Sequence, residues 1–369
     1  MILNTLNLQN FRSYERLEAE FDPGVNLIVG DNAQGKTNLL ESIIYISQGS
    51  SYRTRKEQEL IRWDMDYARM EAGISWTDRD MDIVYVLFQG DKRRQIMKNG
   101  VKQKSAAEMG SVISTVLFCP EDLQLLRSGA SVRRKFLDTA IAQLRPNYRS
   151  AISAYQKLYD SKVRILREGY KKKGMLAALP DFNRQMAIIG ASLIGYRARY
   201  CEKLGLLTEK YHDACSGGKE KLRLQYRTVS NIEDPFAPRE ELFSRLMEHQ
   251  EEHYQAELES GRCLSGVFRD DFDVFLDDRP LKSYGSQGQT RTAAIALKLS
   301  EREIAAQTLG EEPLLLLDDV LSELDPGRQN FILNEIRSGQ VFITCCEEDR
   351  LTAAGKTWYV RDHRLTEER

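Results

Sequence analysis

The chain has 369 residues, more than one hydrophobic core serves comfortably, so two structural units are expected. With 41% hydrophobic and 29% charged residues and a net charge of −2, it has an ordinary globular composition and no overall basic bias that would announce a nucleic-acid binder. No run approaches the ~18 apolar residues of a membrane span, and the opening MILNTLNLQNFRSYE lacks a secretion signal, so a cytoplasmic protein away from the membrane is expected.

Residues 2–9 alternate apolar and polar, the pattern of a strand with one buried face. VNLIV (25–29) is a short buried strand, followed by a glycine-containing loop and a helix through Leu39, Leu40, Ile43, Ile44 and Ile46 that closes near Gly49. Residues 83–88 and 94–103 read as antiparallel strands, with Asn99-Gly100 at a tight turn because both residues tolerate positive φ. Residues 112–118 make another strand.

From 131 to 215 the chain is helical, with Ile152, Tyr155, Leu158, Tyr159 and Ile165 at three- and four-residue steps. Pro146 divides the first helix from the second, residues 169–180 interrupt the pattern, and Asp181 is expected to cap a helix through Met186, Ile189, Leu193 and Tyr196. Two long helices joined by a short link predict an antiparallel hairpin, and a second helix of about 19 residues makes a stubby arm of roughly 28 Å. Strands at 222–229 and 272–276 flank a helix near 240–258. The C-terminal part alternates helix 288–307, strand 314–317, helix 326–337 and strand 340–344, which implies a parallel α/β sheet. The expected division is a first lobe over 1–125, a helical insertion over 126–265, and completion of the core over 266–369.

Charge is unevenly spread. Residues 127–173 hold thirteen Lys/Arg against three acids, Asp138, Asp160 and Glu168. A shorter basic run comprises Lys92, Arg93, Arg94, Lys98, Lys102 and Lys104. A Lys/Arg-rich helix is either a solvated face or a phosphate-binding one, and Arg127, Arg133, Arg134 and Lys135 are the candidates for DNA contact. Six cysteines show no Cys-x-x-Cys pair, so neither a disulfide framework nor a zinc site is expected. They read as small buried residues, with Cys345 and Cys346 at a strand end.

Chemistry concentrates in three places. Gly30-Asp31-Asn32-Ala33-Gln34-Gly35-Lys36-Thr37 matches G-x-x-x-x-G-K-[ST] between a buried strand and a helix. Its glycines let backbone N–H groups wrap phosphates at a helix N-terminus, Lys36 reaches the β- and γ-phosphates, and the Thr37 hydroxyl ligates Mg²⁺. Leu314-Leu315-Leu316-Leu317-Asp318-Asp319 is a buried strand delivering two carboxylates: Asp318 to hold Mg²⁺, Asp319 to orient the attacking water. Lys36 and Asp318 stand 282 residues apart, far more than a simple P-loop fold requires. Just before the second motif, Ser286-Gln287-Gly288-Gln289 opens a helix, as an anion site or simply as a helix cap. Just after it, Ser322-Glu323-Leu324-Asp325 has a spacing used for contacts across a dimer.

This order resembles the ABC-type ATPase heads of the branch that includes SMC proteins and RecF. The likeness to the RecF family spans the chain: NLQNFRSY (7–14), GDNAQGKTNLLE (30–41), SYRT (51–54), ELIRW (59–63), LFCPEDLQLL (117–126), RRKFLD (133–138), SYGSQGQTRTAAIALKL (283–299) and LLLLDDVLSELD (314–325). The resemblance implies an α/β ABC-type head with an inserted, mostly helical lobe forming a short antiparallel arm. It implies that Ser286 and Gly288 meet the ATP held by a partner copy, with Gln287 and Gln289 completing the signature and Ser322 and Asp325 the dimer contact. Arg12 becomes a candidate phosphate contact, with Arg53 and Arg55 behind it.

The family likeness further implies binding of duplex or single-stranded DNA, action with RecO and RecR to load RecA at gaps, support of the SOS response, and weak, DNA-stimulated ATP hydrolysis. Three departures from related patterns bear on the hydrolysis rate and not on nucleotide binding: Val267 and Phe268 stand where the family carries Pro and His, Pro120-Glu121-Asp122 occupies the region of a transporter's glutamine loop, and Thr344-Cys345-Cys346-Glu347 lacks the transporter histidine, which favours slow turnover. The alternatives are the nucleotide-binding subunit of a membrane transporter and a binding module in which ATP is structural.

Overall fold

The computed structural model describes residues 1–90, 94–104, 113–169, 173–229, 232–346 and 355–367; Lys92, Arg93 and Glu347, named above, lie outside them. In chain order come β1 (Ile2–Phe11), β2 (Tyr14–Glu20), β3 (Val25–Val29), α1 (Lys36–Gln48), β4 (Tyr67–Ser75), β5 (Asp80–Phe88), β6 (Gln95–Lys98), β7 (Val101–Gln103) and β8 (Thr115–Phe118). There follow α2 (Ala130–Leu144), α3 (Pro146–Glu168), α4 (Lys173–Leu176), α5 (Leu179–Ser216), β9 (Leu222–Arg227), α6 (Arg239–Glu252), α7 (Tyr254–Ser260), β10 (Asp271–Leu276), β11 (Arg279–Pro280) and α8 (Leu281–Tyr284). The chain ends with α9 (Gln287–Leu309), β12 (Leu314–Asp318), α10 (Pro326–Glu335), β13 (Val341–Cys345), β14 (Gly355–Arg361) and β15 (Arg364–Thr366). Two compact units result, Met1–Leu123 with Glu301–Arg369, and Gln124–Ser300. Residues 271–300 cluster with the helical segment because β10 pairs along its length with β9.

The first unit holds two sheets. One is antiparallel, in the order β2-β1-β4-β5-β6-β7; the other runs β15-β14-β3-β13-β12-β8 and is parallel except for the β14–β15 hairpin. Leu314, Leu315, Leu316 and Leu317 are all buried, as a strand flanked on both sides by parallel neighbours demands. Each contributes about 1.5–3 kcal/mol by leaving water. The core joins both sheets through α1: Leu6, Leu8, Met70 and Ile83 share it with Leu39, Ile43 and Ile44, and with Leu314, Leu316 and Phe342. Register then positions chemistry. Thr344 pairs with Asp318 on one side and Ile28 on the other, and Cys345 pairs with Val29, so the carboxyl ends of β12, β13 and β3 finish side by side. Ligands of open α/β sheets bind at such strand ends.

In the second unit Pro146 does divide α2 from α3, occupying the first turn of α3, where the missing N–H costs nothing. Two expectations fail. Asp181 does not cap a helix: α5 starts at Leu179 with Pro180 in its first turn, and Asp181 lies inside that turn. Nor is the second helix a 19-residue arm, since α5 runs 38 residues, about 57 Å. Gly190 is tolerated within it because it is packed. A Cβ at Gly190 would stand 3.1 Å from Leu246 Cδ1 of α6, and the helix packs on α3, α6 and β9. The helix expected over 240–258 is two, broken at His253.

Candidate nucleotide site

β3 runs directly into the phosphate-loop sequence. Gly30 donates its N–H to the Cys345 carbonyl at 3.2 Å, and only glycine fits there, since a Cβ would lie 2.5 Å from the Val360 carbonyl oxygen of β14. Ala33 (φ 66°) and Gly35 (φ 117°) take the left-handed conformation, which curls the backbone into an anion nest at the N-terminus of α1. The loop is braced from outside: Tyr14 donates to the Gly35 carbonyl (3.1 Å), Asn38 to the Ser13 hydroxyl (2.9 Å), and the β14–β15 turn contacts Gln34 through the Asp362 N–H and the His363 ring, each at 2.8 Å. Asp31, Asn32 and Ala33 face solvent, whereas Lys36 is only 6% exposed. Its ammonium donates to the carbonyls of Gly30 and Asp31, with the Cys346 thiol at 3.6 Å.

β12 delivers its carboxylate to the same place. The Thr37 hydroxyl donates to Asp318 Oδ1 at 3.1 Å, across 281 residues of sequence. Thr344 donates to the same oxygen at 3.0 Å, and Tyr52 to Oδ2 at 3.3 Å. Burial pushes the Asp318 carboxyl above its ordinary range, opposed by these three hydrogen bonds. A carboxylate beside a hydroxyl is a hard oxygen pair of the kind Mg²⁺ takes, so Thr37 and Asp318 fit that ion. Asp319 is left-handed (φ 53°), and its N–H is held by the Thr344 hydroxyl at 2.8 Å. Ser322 donates to the Asp319 carbonyl (2.7 Å), and Asp325 caps α10 by accepting the Arg328 N–H (3.2 Å).

Arg12 lies in this unit with its guanidinium committed to a protein carboxylate. It makes a two-pronged contact with fully buried Glu41 (3.0 and 2.8 Å) and reaches the Glu59 carbonyl (2.8 Å); Arg53 joins the same carboxylate at 3.0 Å.

Within the second unit, the Ser286-Gln287-Gly288-Gln289 turn is a reciprocal capping box at the start of α9. The Gln289 N–H reaches the Ser286 hydroxyl (3.2 Å), and the Ser286 N–H reaches the Gln289 side-chain oxygen (2.7 Å). Ser286 and Gln287 remain exposed at the N-terminus of a 23-residue helix, so capping and anion attraction coexist there. Arg127 braces the turn by donating to the Gly285 carbonyl (2.7 Å) and the Thr290 hydroxyl (3.2 Å).

The basic cluster divides by burial. Arg133, expected to face DNA, is 5% exposed and pairs with Asp271 at 2.8 and 2.6 Å, because its side of α2 faces β10. Arg134 is half-buried on the Asp270 carbonyl (2.8 Å), and Lys135 is exposed. Lys162, from the same basic stretch, is buried against Glu257 at 2.7 Å. Of the cysteines, Cys119, Cys201 and Cys263 are buried, as small apolar residues should be, but Cys346 is exposed, with its thiol 3.2 Å from the Asn32 side-chain oxygen. Sequence reasoning missed Tyr52, Thr344 and Cys346 as site residues. A polar Thr ending an otherwise apolar strand was the one available signal.

A family model described as the RecF/RecN/SMC N terminal domain matches residues 2–367. Among relatives, the DNA replication and repair protein RecF of Clostridium acetobutylicum is 37% identical over 94% of this chain and 93% of its own length. The protein of the same name from Bacillus subtilis strain 168 is 36% identical over 95% and 94%. A solved structure described as the recombination mediator protein RecF-ATPrS in the RecFOR pathway superposes with a TM-score of 0.93 at 33% identity, covering 98% of this chain and 97% of that one. The Smc head of Pyrococcus furiosus, 17% identical with a TM-score of 0.58, shares the fold. With a parallel sheet ending in a P-loop and an aspartate pair, and with relatives matched from end to end, the chain belongs to the RecF family of ABC-type ATPase heads.

Proposed function

We propose that this protein is an ATP-dependent DNA-binding protein of replication and recombinational repair, in which ATP joins two copies head to head and slow hydrolysis lets them part. The observation that carries the reading is the Thr37–Asp318 contact at 3.1 Å, which closes a P-loop and a carboxylate strand into one site. The loop nest and Lys36 would bind the phosphate chain; Thr37 and Asp318 would hold Mg²⁺, whose charge offsets that of the phosphates. Asp319 would orient a water whose oxygen bonds to the γ-phosphorus as the bond to the β–γ bridging oxygen breaks, releasing ADP and phosphate.

The exposed, capped turn at Ser286 and Gly288 supports completion of the site by a second copy, since a helix N-terminus attracts a γ-phosphate. Loss of that phosphate on hydrolysis removes the bridge, a nucleotide switch. Exposed Arg127 and Lys135 are the stronger remaining DNA contacts, and contact with phosphates would give binding that weakens steeply with salt. The solved relative's description as a recombination mediator of the RecFOR pathway supports cooperation with RecO- and RecR-like proteins, and loading of RecA at gaps is what the family resemblance implies; neither name supports the transporter alternative.

The test is light scattering and sedimentation with ATP, Mg²⁺ and gapped DNA. Lys36→Ala should lose ATP binding, whereas Ser286→Arg should bind ATP as wild type does and remain a monomer. A Ser286→Arg dimer of unchanged stability defeats completion in trans.

A further inference from the structure

We propose that Thr344 is the positioning residue for hydrolysis, setting both aspartates of the β12 end, and that the strand end Thr344-Cys345-Cys346 keeps them in register with the phosphate loop. The inference rests on the reading of Asp319 as the residue that orients water. Each residue of the tripeptide touches a different part of the site. Thr344 donates its one hydroxyl proton to Asp318 Oδ1 (3.0 Å) and uses a lone pair to accept the Asp319 N–H (2.8 Å). The Cys345 carbonyl accepts the Gly30 N–H where the loop begins (3.2 Å). The Cys346 thiol lies against the Lys36 ammonium (3.6 Å) and the Asn32 side chain (3.2 Å).

The Asp319 contact explains an otherwise costly conformation. A non-glycine residue at φ 53° is strained and persists only when its surroundings hold it there. Two hydrogen bonds do so, one from the Asp319 N–H to Thr344 and one from Ser322 to the Asp319 carbonyl (2.7 Å). Thr344 is 1% exposed, and its place is fixed by pairing with Asp318 along β12 and with Ile28 along β3. Asp318 keeps two other donors, Thr37 and Tyr52, whereas among the described residues the Asp319 N–H has Thr344 alone. Loss of the Thr344 hydroxyl should therefore disturb the residue that orients water more than the one that holds the metal.

The experiment compares Thr344→Val, which keeps the shape and removes the hydroxyl, with Thr344→Ser, which keeps the hydroxyl. Single-turnover ATP hydrolysis and ATP affinity are measured on the full chain with Mg²⁺ and gapped DNA, alongside Asp319→Asn. Thr344→Val should hydrolyse about 10- to 100-fold more slowly, the scale on which a misplaced catalytic group is felt, with ATP affinity within about threefold of wild type. Thr344→Ser should recover most of the rate. A wild-type rate in Thr344→Val overturns the inference, and so does a loss of affinity as large as the loss of rate, because that marks a general distortion. Should Thr344→Val not fold, Thr344→Ala set against Thr344→Ser makes the same comparison. A wild-type rate in Asp319→Asn would instead remove the reading of Asp319, while a slow Asp319→Asn beside a normal Thr344→Val removes this inference alone.

Discussion

Arg133→Ala distinguishes a residue that binds DNA from one that holds its own unit together. The Arg133 and Asp271 side chains are each 6% exposed and meet through two parallel hydrogen bonds of 2.8 and 2.6 Å. Arg133 also donates to the Ser128 carbonyl at 2.6 Å. Truncation leaves the Asp271 carboxylate buried with its paired guanidinium gone and the Phe272 N–H (2.9 Å) still donating to it. Breaking a buried pair from one side costs about 3–5 kcal/mol. With a urea slope of roughly 2–3 kcal/mol per molar, the unfolding midpoint should fall by about 1–2.5 M. Replacing both partners with apolar residues, Arg133→Met with Asp271→Leu, should recover most of the loss, because no lone charge then remains buried. Lys135→Glu, on the exposed side of the same helix, should move the midpoint by no more than about 0.5 kcal/mol in equivalent stability while weakening DNA binding. An Arg133→Ala protein as stable as wild type, yet with weaker DNA binding and a salt slope reduced by about 0.9, would show that the guanidinium meets a phosphate and that the burial argument is wrong.

Asp270 is buried, and burial pushes its carboxyl up to about 6 from an ordinary 3.8, although Arg197, Tyr226 and Val229 pull it down. The folded state therefore favours the proton, and the contribution is fully present below about pH 4 and lost as pH rises through 6. The stability of wild type minus that of Asp270→Asn should fall across this window in urea titrations; a flat or rising difference refutes the assignment. Gly35→Ala places a Cβ at φ 117°, 2.9 Å from the Ser13 hydroxyl and 3.1 Å from that of Tyr14, so the loop must deform at a cost of about 1–3 kcal/mol. ATP affinity should drop at least in proportion, and calorimetry showing wild-type affinity would mean the nest does not depend on that conformation.

The parts of the site legible in the sequence are those whose chemistry is local. A strand, a glycine-bearing loop, Lys36 and Thr37 are contiguous, and four leucines ending in two aspartates mark a buried strand wherever they occur. What could not be read depends on partners far along the chain. Tyr52 meets Asp318 across 266 residues, and Arg133 meets Asp271 across 138. Strands β2 and β4 were also missed, although β4 alternates cleanly in burial once paired with β1 and β5. The burial of Arg133 beside more exposed neighbours has a geometric cause. Successive residues of a helix point about 100° apart, so Arg133, Arg134 and Lys135 cannot all face one surface. Three consecutive residues span about 200°, so such a run can bring one of them to the core side, and the sequence shows neither which one nor the carboxylate that waits for it.

The parallel sheet explains why the motifs stand so far apart. Strands β8 and β12 are parallel neighbours, so the chain must leave the sheet and return between them, and a crossover of any length satisfies the pairing. Each doubling of a flexible loop costs only about 0.6 kcal/mol, and a connection that folds on its own core offsets even that. The crossover can therefore become a whole compact unit, Gln124–Ser300, without disturbing the β3, β13 and β12 ends that hold Lys36, Thr344 and Asp318. The phosphate loop belongs to one unit and the Ser286 turn to the other, so a substitution that loosens the crossover, such as Arg133→Ala, should impair ATP-driven assembly before it impairs ATP binding. Loss of both together would mean that the two functions do not divide along the units.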